Sequence, residues 1–516
     1  MARLLESPAH AFRVHPVDEF GLLVDAEDYY REFYRAASQA ESYILLSGWQ
    51  FDSDVALLRG PEAERAGAPV TLLKLLKHLT ETKPELRIWI LAWDFHLVFA
   101  AEREWMQNIV FDWTSNERLQ FMFDSNHVER GCHHQKFVVI DGVVTFLGGL
   151  DLCDDRWDDR KHRQRNAFRL SDGEPHKPFH DIQAYARGTE LAGSLVELFA
   201  CRWERAGGAP MSVPPTRPEA IERVRSRRLD GLLPLAAPTV ALSRTDPHGS
   251  PGGPPRCTEI ATLHCAAIAS AERLIYAETQ YFSAHLIADA IEQRMRDTRL
   301  PKLDIVLVLN VSGETLKEQA AVGLAQAKNI GHLRSVARET GHALGIYYTL
   351  PSCETPETPE RATYIHSKLM IVDDRFLTVG SANLTNRSMA VDTELNVSVE
   401  TDDANDALGV SIRGVRASLL AEHTGGPELT QVAGLVAHLD EITSKGEGGS
   451  QAGPCRLRNH PSPTTSERAA LALVDPQKLP FDPDAVEELD EEVRTDFLSA
   501  LGRTVRELFA SRKDKG

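Results

Sequence analysis

Two segments of this chain carry the same three residue types at the same spacing: HQKFVVID at His134–Asp141 and, 232 residues later, HSKLMIVD at His366–Asp373. An imidazole can act as a nucleophile or move a proton, and an ammonium group can hold an oxyanion. Two His-Lys pairs therefore supply the nucleophile, the acid for a leaving alcohol and the positive donors that cleavage of a phosphodiester requires. Side chains alternate along an extended segment, so His134 and Lys136 share one face while Asp141 points to the other. The same parity holds for His366, Lys368 and Asp373. The pairs are expected to face the reaction, and the two aspartates to serve structure by pairing or by turn hydrogen bonding.

The elements that must position these pairs also repeat. Gly148-Gly149-Leu150-Asp151 matches Gly380-Ser381-Ala382-Asn383, and SGWQF (Ser47–Phe51) matches ETQYF (Glu278–Phe282), with Trp49 and Tyr281 again 232 apart. Between these anchors, LRIWILAWD (Leu86–Asp94) matches LDIVLVLNV (Leu303–Val311), and RLQFMF (Arg118–Phe123) matches LGIYYT (Leu344–Thr349). These short apolar runs read as strands, alternating with helical stretches such as Thr71–Glu81 and Ile287–Arg296. The pattern predicts an α/β fold: two tandem α/β sandwich domains, mixed sheets flanked by helices, related by a pseudo-twofold repeat and sharing one active site at their interface.

The expected boundaries are 1–205 for the first repeat, 206–238 for a Pro/Gly-rich linker, and 239–424 for the second repeat, with a flexible stretch at 247–256. Residues 425–516 form a C-terminal extension with a Gly/Ser-rich segment and an acidic helix at Pro483–Arg512. VALSRTD (Val240–Asp246) reads as the strand that begins the second half. The 516 residues carry a formal net charge of −18 and are 42% hydrophobic, the balance of a globular protein that does not hold long nucleic acid by phosphate neutralisation. Seven scattered cysteines without a CxxC pair suggest neither a disulfide framework nor a zinc site. The absence of an apolar leader or membrane span points to a cytoplasmic protein whose contact with a membrane is peripheral.

Each histidine needs one ring nitrogen fixed so that the other is presented to the reaction. Asp181, opening DIQAYA, and Glu394, opening ELNVSVE, are the expected orienting carboxylates. Lys136 and Lys368 are expected to hold the non-bridging oxygens, with Ser381 and Asn383 donating further hydrogen bonds, so that no metal and no cofactor is required for the chemistry. Gly149, Asp151, Trp49, Gln50, Gln280 and Tyr281 are candidate substrate contacts, although core packing explains the aromatics almost as well. His133 and His180 read as structural or pocket-wall residues.

HxKxxxxD followed by GSxN or GGxD resembles the signature of the phospholipase D superfamily, and the resemblance covers about residues 40–400. GGLDLCDDRWD (Gly148–Asp158), HDIQAYARG (His180–Gly188) and AETQYF are similar to phospholipases D of plants and other eukaryotes. GSANLTNRSMAVDTELN (Gly380–Asn396) also resembles cardiolipin synthases. Thr279 stands where the family usually has Asn. The resemblance implies hydrolysis or head-group exchange of glycerophospholipids such as phosphatidylcholine or phosphatidylethanolamine, with His134 as the nucleophile that forms a phosphohistidine and His366 as the acid; the near symmetry of the two motifs leaves the reversed assignment as the alternative. The partners it implies are a phospholipid and a water or alcohol acceptor, acted on by a monomer because both motifs lie in one chain. Competing readings are a cardiolipin-synthase-like phosphatidyltransferase, a nuclease, which the acidic balance and the absence of a basic track disfavour, and a catalytically silent scaffold, which two complete motifs disfavour.

Overall fold

The computed structural model describes residues 3–94, 117–128, 131–225, 229–249, 256–311, 316–351, 362–447 and 456–462. The acidic helix expected at Pro483–Arg512 lies outside the described residues. Two mixed sheets, one of eight strands and one of ten, organise the rest.

The shared part of each sheet has one strand order. In the first half it runs Glu19–Val24, Ile182–Arg187, Val144–Gly148, Phe137–Ile140, Tyr43–Gly48, Arg87–Trp93, Leu119–Asp124. In the second it runs Thr239–Asp246, Glu394–Glu400, Phe376–Gly380, Leu369–Val372, Leu274–Thr279, Asp304–Leu309, Ala343–Thr349. The last two joins of each series are parallel and the others antiparallel. Parallel neighbours need crossovers, and the helices Leu72–Thr82, His285–Arg296 and Leu316–Thr340 provide them. Each motif strand instead reverses directly into the next strand. Its turn passes through left-handed backbone at Asp141 (φ 51) and Gly142 (φ 68), or at Asp373 (φ 57) and Asp374 (φ 56). Asp and Gly tolerate that conformation where branched residues do not.

The sheet edges depart from the expected domain boundaries. Residues 206–238, read as a linker, contain the helix Pro218–Arg225 and the strand Leu233–Leu235, which pairs with Glu19–Val24 on the edge of the first sheet. Arg13–Pro16, at the start of the chain, pairs instead with Thr239–Asp246 on the edge of the second sheet. One edge of each sheet is thus extended by a short strand, which pairs N–H and C=O groups of Glu19–Val24 and Thr239–Asp246. The prolines within both strands are compatible with edge positions, since proline has no N–H to donate.

Alternation along the strands divides the apolar side chains among three cores. Ile44, Ile88 and Ile90 pack with helices Asp25–Gln39 and Leu72–Thr82 on the outer face of the first sheet. Ile275, Ile305 and Leu307 pack with Glu259–Ser270 and His285–Arg296 on the outer face of the second. The inner faces share a single core, in which Leu45, Leu91 and Phe137 belong to the same cluster as Tyr276, Val306 and Ile371. Helices Thr189–Arg205 and Ala407–Thr424 contribute Leu195, Phe199, Ile412 and Leu419 to it. Continuity of this core across the two halves holds the motif strands in one fixed relation.

Candidate active site

Short parallel pairings bring the two motifs together across the interface. Ahead of the second motif, Tyr364 and Ile365 pair with Phe179 and His180 of the first half, and His366 N–H donates to the His180 carbonyl at 2.8 Å. Ahead of the first, His133 bridges Thr393 and His134 N–H donates to the Thr393 carbonyl at 2.9 Å. The residue after His180 is Asp181, and the residue after Thr393 is Glu394. This register delivers to each histidine the carboxylate of the opposite half. His134 Nδ1 lies 3.0 Å from Glu394 Oε2, and His366 Nδ1 lies 2.5 Å from Asp181 Oδ2. With Nδ1 engaged, Nε2 of each ring is the nitrogen available to a substrate.

The surroundings of the two carboxylates differ, which accounts for the GG and GS versions of the flank. Ser381 Oγ donates to Glu394 Oε2 at 2.5 Å, so its proton serves the carboxylate and not a phosphate oxygen as expected from the sequence. In the first half Asp181 Oδ1 takes a backbone donor, Ile182 N–H at 2.7 Å, and its carboxylate lies directly over Gly149. A Cβ at Gly149 would stand 2.3 Å from Asp181 Oδ1 and 2.6 Å from Oδ2, leaving no room for a serine. Gly149 therefore leaves the space that the Asp181 carboxylate occupies.

Each lysine is tethered to the carbonyl of its own motif histidine, Lys136 to His134 O at 3.2 Å and Lys368 to His366 O. Lys136 also pairs with Asp151 Oδ2 at 3.2 Å, while Asp151 Oδ1 accepts from Trp49 N–H at 2.9 Å. The equivalent position next to Lys368 is neutral: Gln280 Oε1 accepts from Lys368 Nζ at 3.2 Å and from Asn383 Nδ2 at 3.3 Å. Gln280 Nε2 donates to Tyr364 Oη at 2.7 Å, and Tyr281 Oη is 3.2 Å from the same hydroxyl. Of the candidate contacts, Gln50 is turned away, donating to Asp52 Oδ1 at 3.1 Å in the following loop. Asp141 accepts the N–H groups of Glu41, Ser42 and Tyr43, and Asp373 those of Glu272, Arg273 and Leu274. Both aspartates thus fasten the start of the adjacent strand.

The charges of the site act on one another. Burial holds the pKa of both histidines well below the usual range, followed by Lys136 and Lys368 at His134 and by Lys368, Arg156 and Lys136 at His366. Burial lowers Lys368 to about 7 against the pull of Asp181. Burial likewise raises Asp181 to about 6 and Glu394 to about 7, opposed respectively by Lys368 and by the Ser381 hydroxyl. Lysines from both halves act on both histidines, as one shared site requires.

Behind Asp181 lies a second group of buried ionisable residues that the sequence reading did not bring together. The ligand-capable atoms of Asp25, His162, His180 and Glu422 lie within 4.8 Å of one another. His180 Nδ1 is 3.0 Å from Asp25 Oδ1 and 2.8 Å from Glu422 Oε1, and His162 Nε2 is 3.0 Å from the same Glu422 oxygen. Their outer nitrogens meet Glu278 at 3.0 Å and Asp158 at 2.9 Å. Two imidazole nitrogens and two carboxylates, each ring held from outside by a further carboxylate, form a donor set able to hold a divalent cation. The same atoms also balance as two imidazoliums against acids: despite burial, Asp25 and its neighbours push His162 up to about 9 and hold His180 well above its usual range. The adjacent Glu422-His423 dipeptide and the histidine in DRKHR were the available sequence signals. Neither has a spacing that identifies a partner.

Residues 264–413 match the family model described as cardiolipin synthase, PLD-like domain. Over 78% of its length the chain is 26% identical to phospholipase D alpha 4 of Arabidopsis thaliana and 24% identical to phospholipase D alpha 1 of Zea mays. It spans just under two thirds of these relatives, 64% and 65% of their respective lengths. Its fold is similar to that of the phosphatidylserine synthase of Haemophilus influenzae Rd KW20, with a TM-score of 0.52 at 14% identity, over 86% of this chain and 97% of that one.

Proposed function

This chain belongs to the phospholipase D superfamily, and from that premise we propose that it cleaves the head-group ester of glycerophospholipids and passes the phosphatidyl group to water or an alcohol. The observation that carries this reading is the reciprocal pairing of His134 with Glu394 and of His366 with Asp181 around two lysines. A neutral His134, its Nδ1–H donated to Glu394, presents an Nε2 lone pair to phosphorus. The phosphodiester anion docks on Lys136, which is paired with Asp151, and on Lys368, whose acceptor Gln280 is in turn held by Asn383.

Docking also prepares the acid. Burial, then the charges of Lys368, Arg156 and Lys136, keeps His366 neutral in the free protein; the phosphate offsets those charges, so His366 can take up a proton as substrate binds. In the first displacement the His134 N–P bond forms and the P–O bond to the head group breaks, with the alcohol leaving on the His366 proton. In the second, His366 removes a proton from water or an acceptor alcohol as it attacks phosphorus, and His134 is released. Positive charge comes from the lysines, and no step is routed through the Asp25, His162, His180 and Glu422 cluster. We further read the encounter with lipid as peripheral and cytoplasmic, carried out by a monomer; no helix among the described residues is long and apolar enough to cross a membrane. The match of residues 264–413 to a cardiolipin synthase model supports a second reading, in which the acceptor is a lipid hydroxyl.

The test is product analysis with mixed phospholipids and added 1-butanol, run beside plasmid DNA. A phosphatidyl-alcohol should form at the expense of phosphatidic acid, because both acceptors compete for one intermediate. His134→Ala and His366→Ala should each abolish turnover. A chiral phosphorothioate substrate should react with retention of configuration, and inversion would rule out the covalent route.

A further inference from the structure

His366 is flanked by two buried aromatic rings, each with a cation over it. The Phe179 ring lies 5.2 Å from the His366 ring, and the Arg156 guanidinium sits 5.3 Å from the Phe179 centroid. The Tyr364 ring is stacked 6.3 Å from His366, and Lys177 Nζ lies 3.7 Å from the Tyr364 centroid. Phe179 and Tyr364 pack against each other with their rings 5.6 Å apart, which keeps the two cations on neighbouring supports. Tyr364 is fixed further by Gln280 and Tyr281. The His134 side is built differently: Trp49, Trp93 and His127 pack ring against ring there, and Asp151 lies against Lys136.

We propose that Arg156 and Lys177 are specificity-determining residues that select phospholipids whose head alcohol carries a negatively charged group, such as the carboxylate of serine. The inference rests on the phosphodiesterase reading above, with His366 on the leaving-group side. In an in-line displacement from His134 the head group departs towards His366, whose two neighbouring rings each have one of these cations beside them, and the Arg156 charge already acts on His366. Rings hold a cation over their faces and limit its conformational freedom. Arg156 also pairs with Asp155 at 2.8 Å, but Asp155 is 45% exposed, so a head-group carboxylate can displace it from the guanidinium at modest cost. A trimethylammonium head group meets like charge at the same place.

The test offers the full chain short-chain phosphatidylserine and phosphatidylcholine together, both below their critical micelle concentrations so that attraction to a charged surface plays no part. The ratio of serine to choline released reports the ratio of kcat/KM within one preparation, so partial loss of folded protein cancels. The wild type should favour serine by about tenfold or more, as expected for a charge-assisted contact. Arg156→Gln and Lys177→Glu should each lower the ratio by about tenfold, and Arg156→Lys should restore most of it. A wild type that prefers choline, or a ratio unmoved by both variants, overturns the inference while leaving the phosphodiesterase reading intact. Release of neither head group would overturn that reading and this inference with it.

Discussion

Replacing each orienting carboxylate by its amide should have unequal consequences, because the two carboxylates use their oxygens differently. Glu394 accepts from His134 Nδ1 at 3.0 Å and from Ser381 Oγ at 2.5 Å on the single oxygen Oε2. In Glu394→Gln the amide oxygen can occupy that position and keep both contacts, while the NH2 group takes the place of Oε1, to which no hydrogen bond is made. The loss is then the difference between a charged and a neutral acceptor, about 1–2 kcal/mol, or a five- to thirtyfold fall in kcat. Asp181 divides its donors, with His366 Nδ1 on Oδ2 at 2.5 Å and Ile182 N–H on Oδ1 at 2.7 Å. An asparagine must set its NH2 against one of them. Facing His366, it forces the ring proton onto Nε2; facing Ile182, it leaves two buried donors opposed. Losing a charge-assisted bond and burying an unsatisfied donor together cost about 3–6 kcal/mol, a fall of two to four orders of magnitude. Single-turnover rates on a monomeric short-chain diester, normalised to folded protein by thermal melting, measure both. Equal losses, or a larger loss in Glu394→Gln, would refute the assignment of donors to oxygens.

Other expectations follow from the same contacts. Asp141→Asn and Asp373→Asn should each turn an amide NH2 towards a backbone N–H at a strand start, lowering stability by about 1–3 kcal/mol in a urea melt; a fully stable but inactive Asp373→Asn would contradict their structural role. Gly149→Ser should displace the Asp181 carboxylate and abolish turnover, despite making the first flank identical in type to Ser381; near-normal kcat would show that the space is not needed. The pH profile of kcat/KM should be bell-shaped. On the acid side activity falls as Glu394 (about 7) and Asp181 (about 6) take up protons and cease to be anionic acceptors; on the alkaline side it falls as Lys368 (about 7) loses its charge. A flat profile from about pH 5 to about pH 9 would rule out these groups as the limbs. Chelators should leave turnover of a monomeric diester unchanged, whereas loss restored by one particular metal would bring Asp25, His162, His180 and Glu422 into the working enzyme.

The sequence by itself determined the features that depend on local geometry and on repetition. Strand parity separates His134 and Lys136 from Asp141 without reference to any neighbour, and the common 232-residue offset of the flanks makes two halves of one architecture legible. Asp181 and Glu394 could be named because each opens a strand in the repeat. Which histidine each serves was decided by tertiary structure, since the pairing of Phe179 and His180 with Tyr364 and Ile365 is a contact between halves that no local period encodes. The commitment of the Ser381 proton to Glu394, the space left at Gly149 for Asp181, and the exchange of edge strands through Arg13–Pro16 and Leu233–Leu235 are of the same kind. So is the gathering of Asp25, His162, His180 and Glu422, drawn from both repeats yet held within 4.8 Å of one another. Backbone periodicity is a property of neighbours along the chain; a hydrogen bond between distant side chains exists only once the shared core between the sheets has fixed their separation.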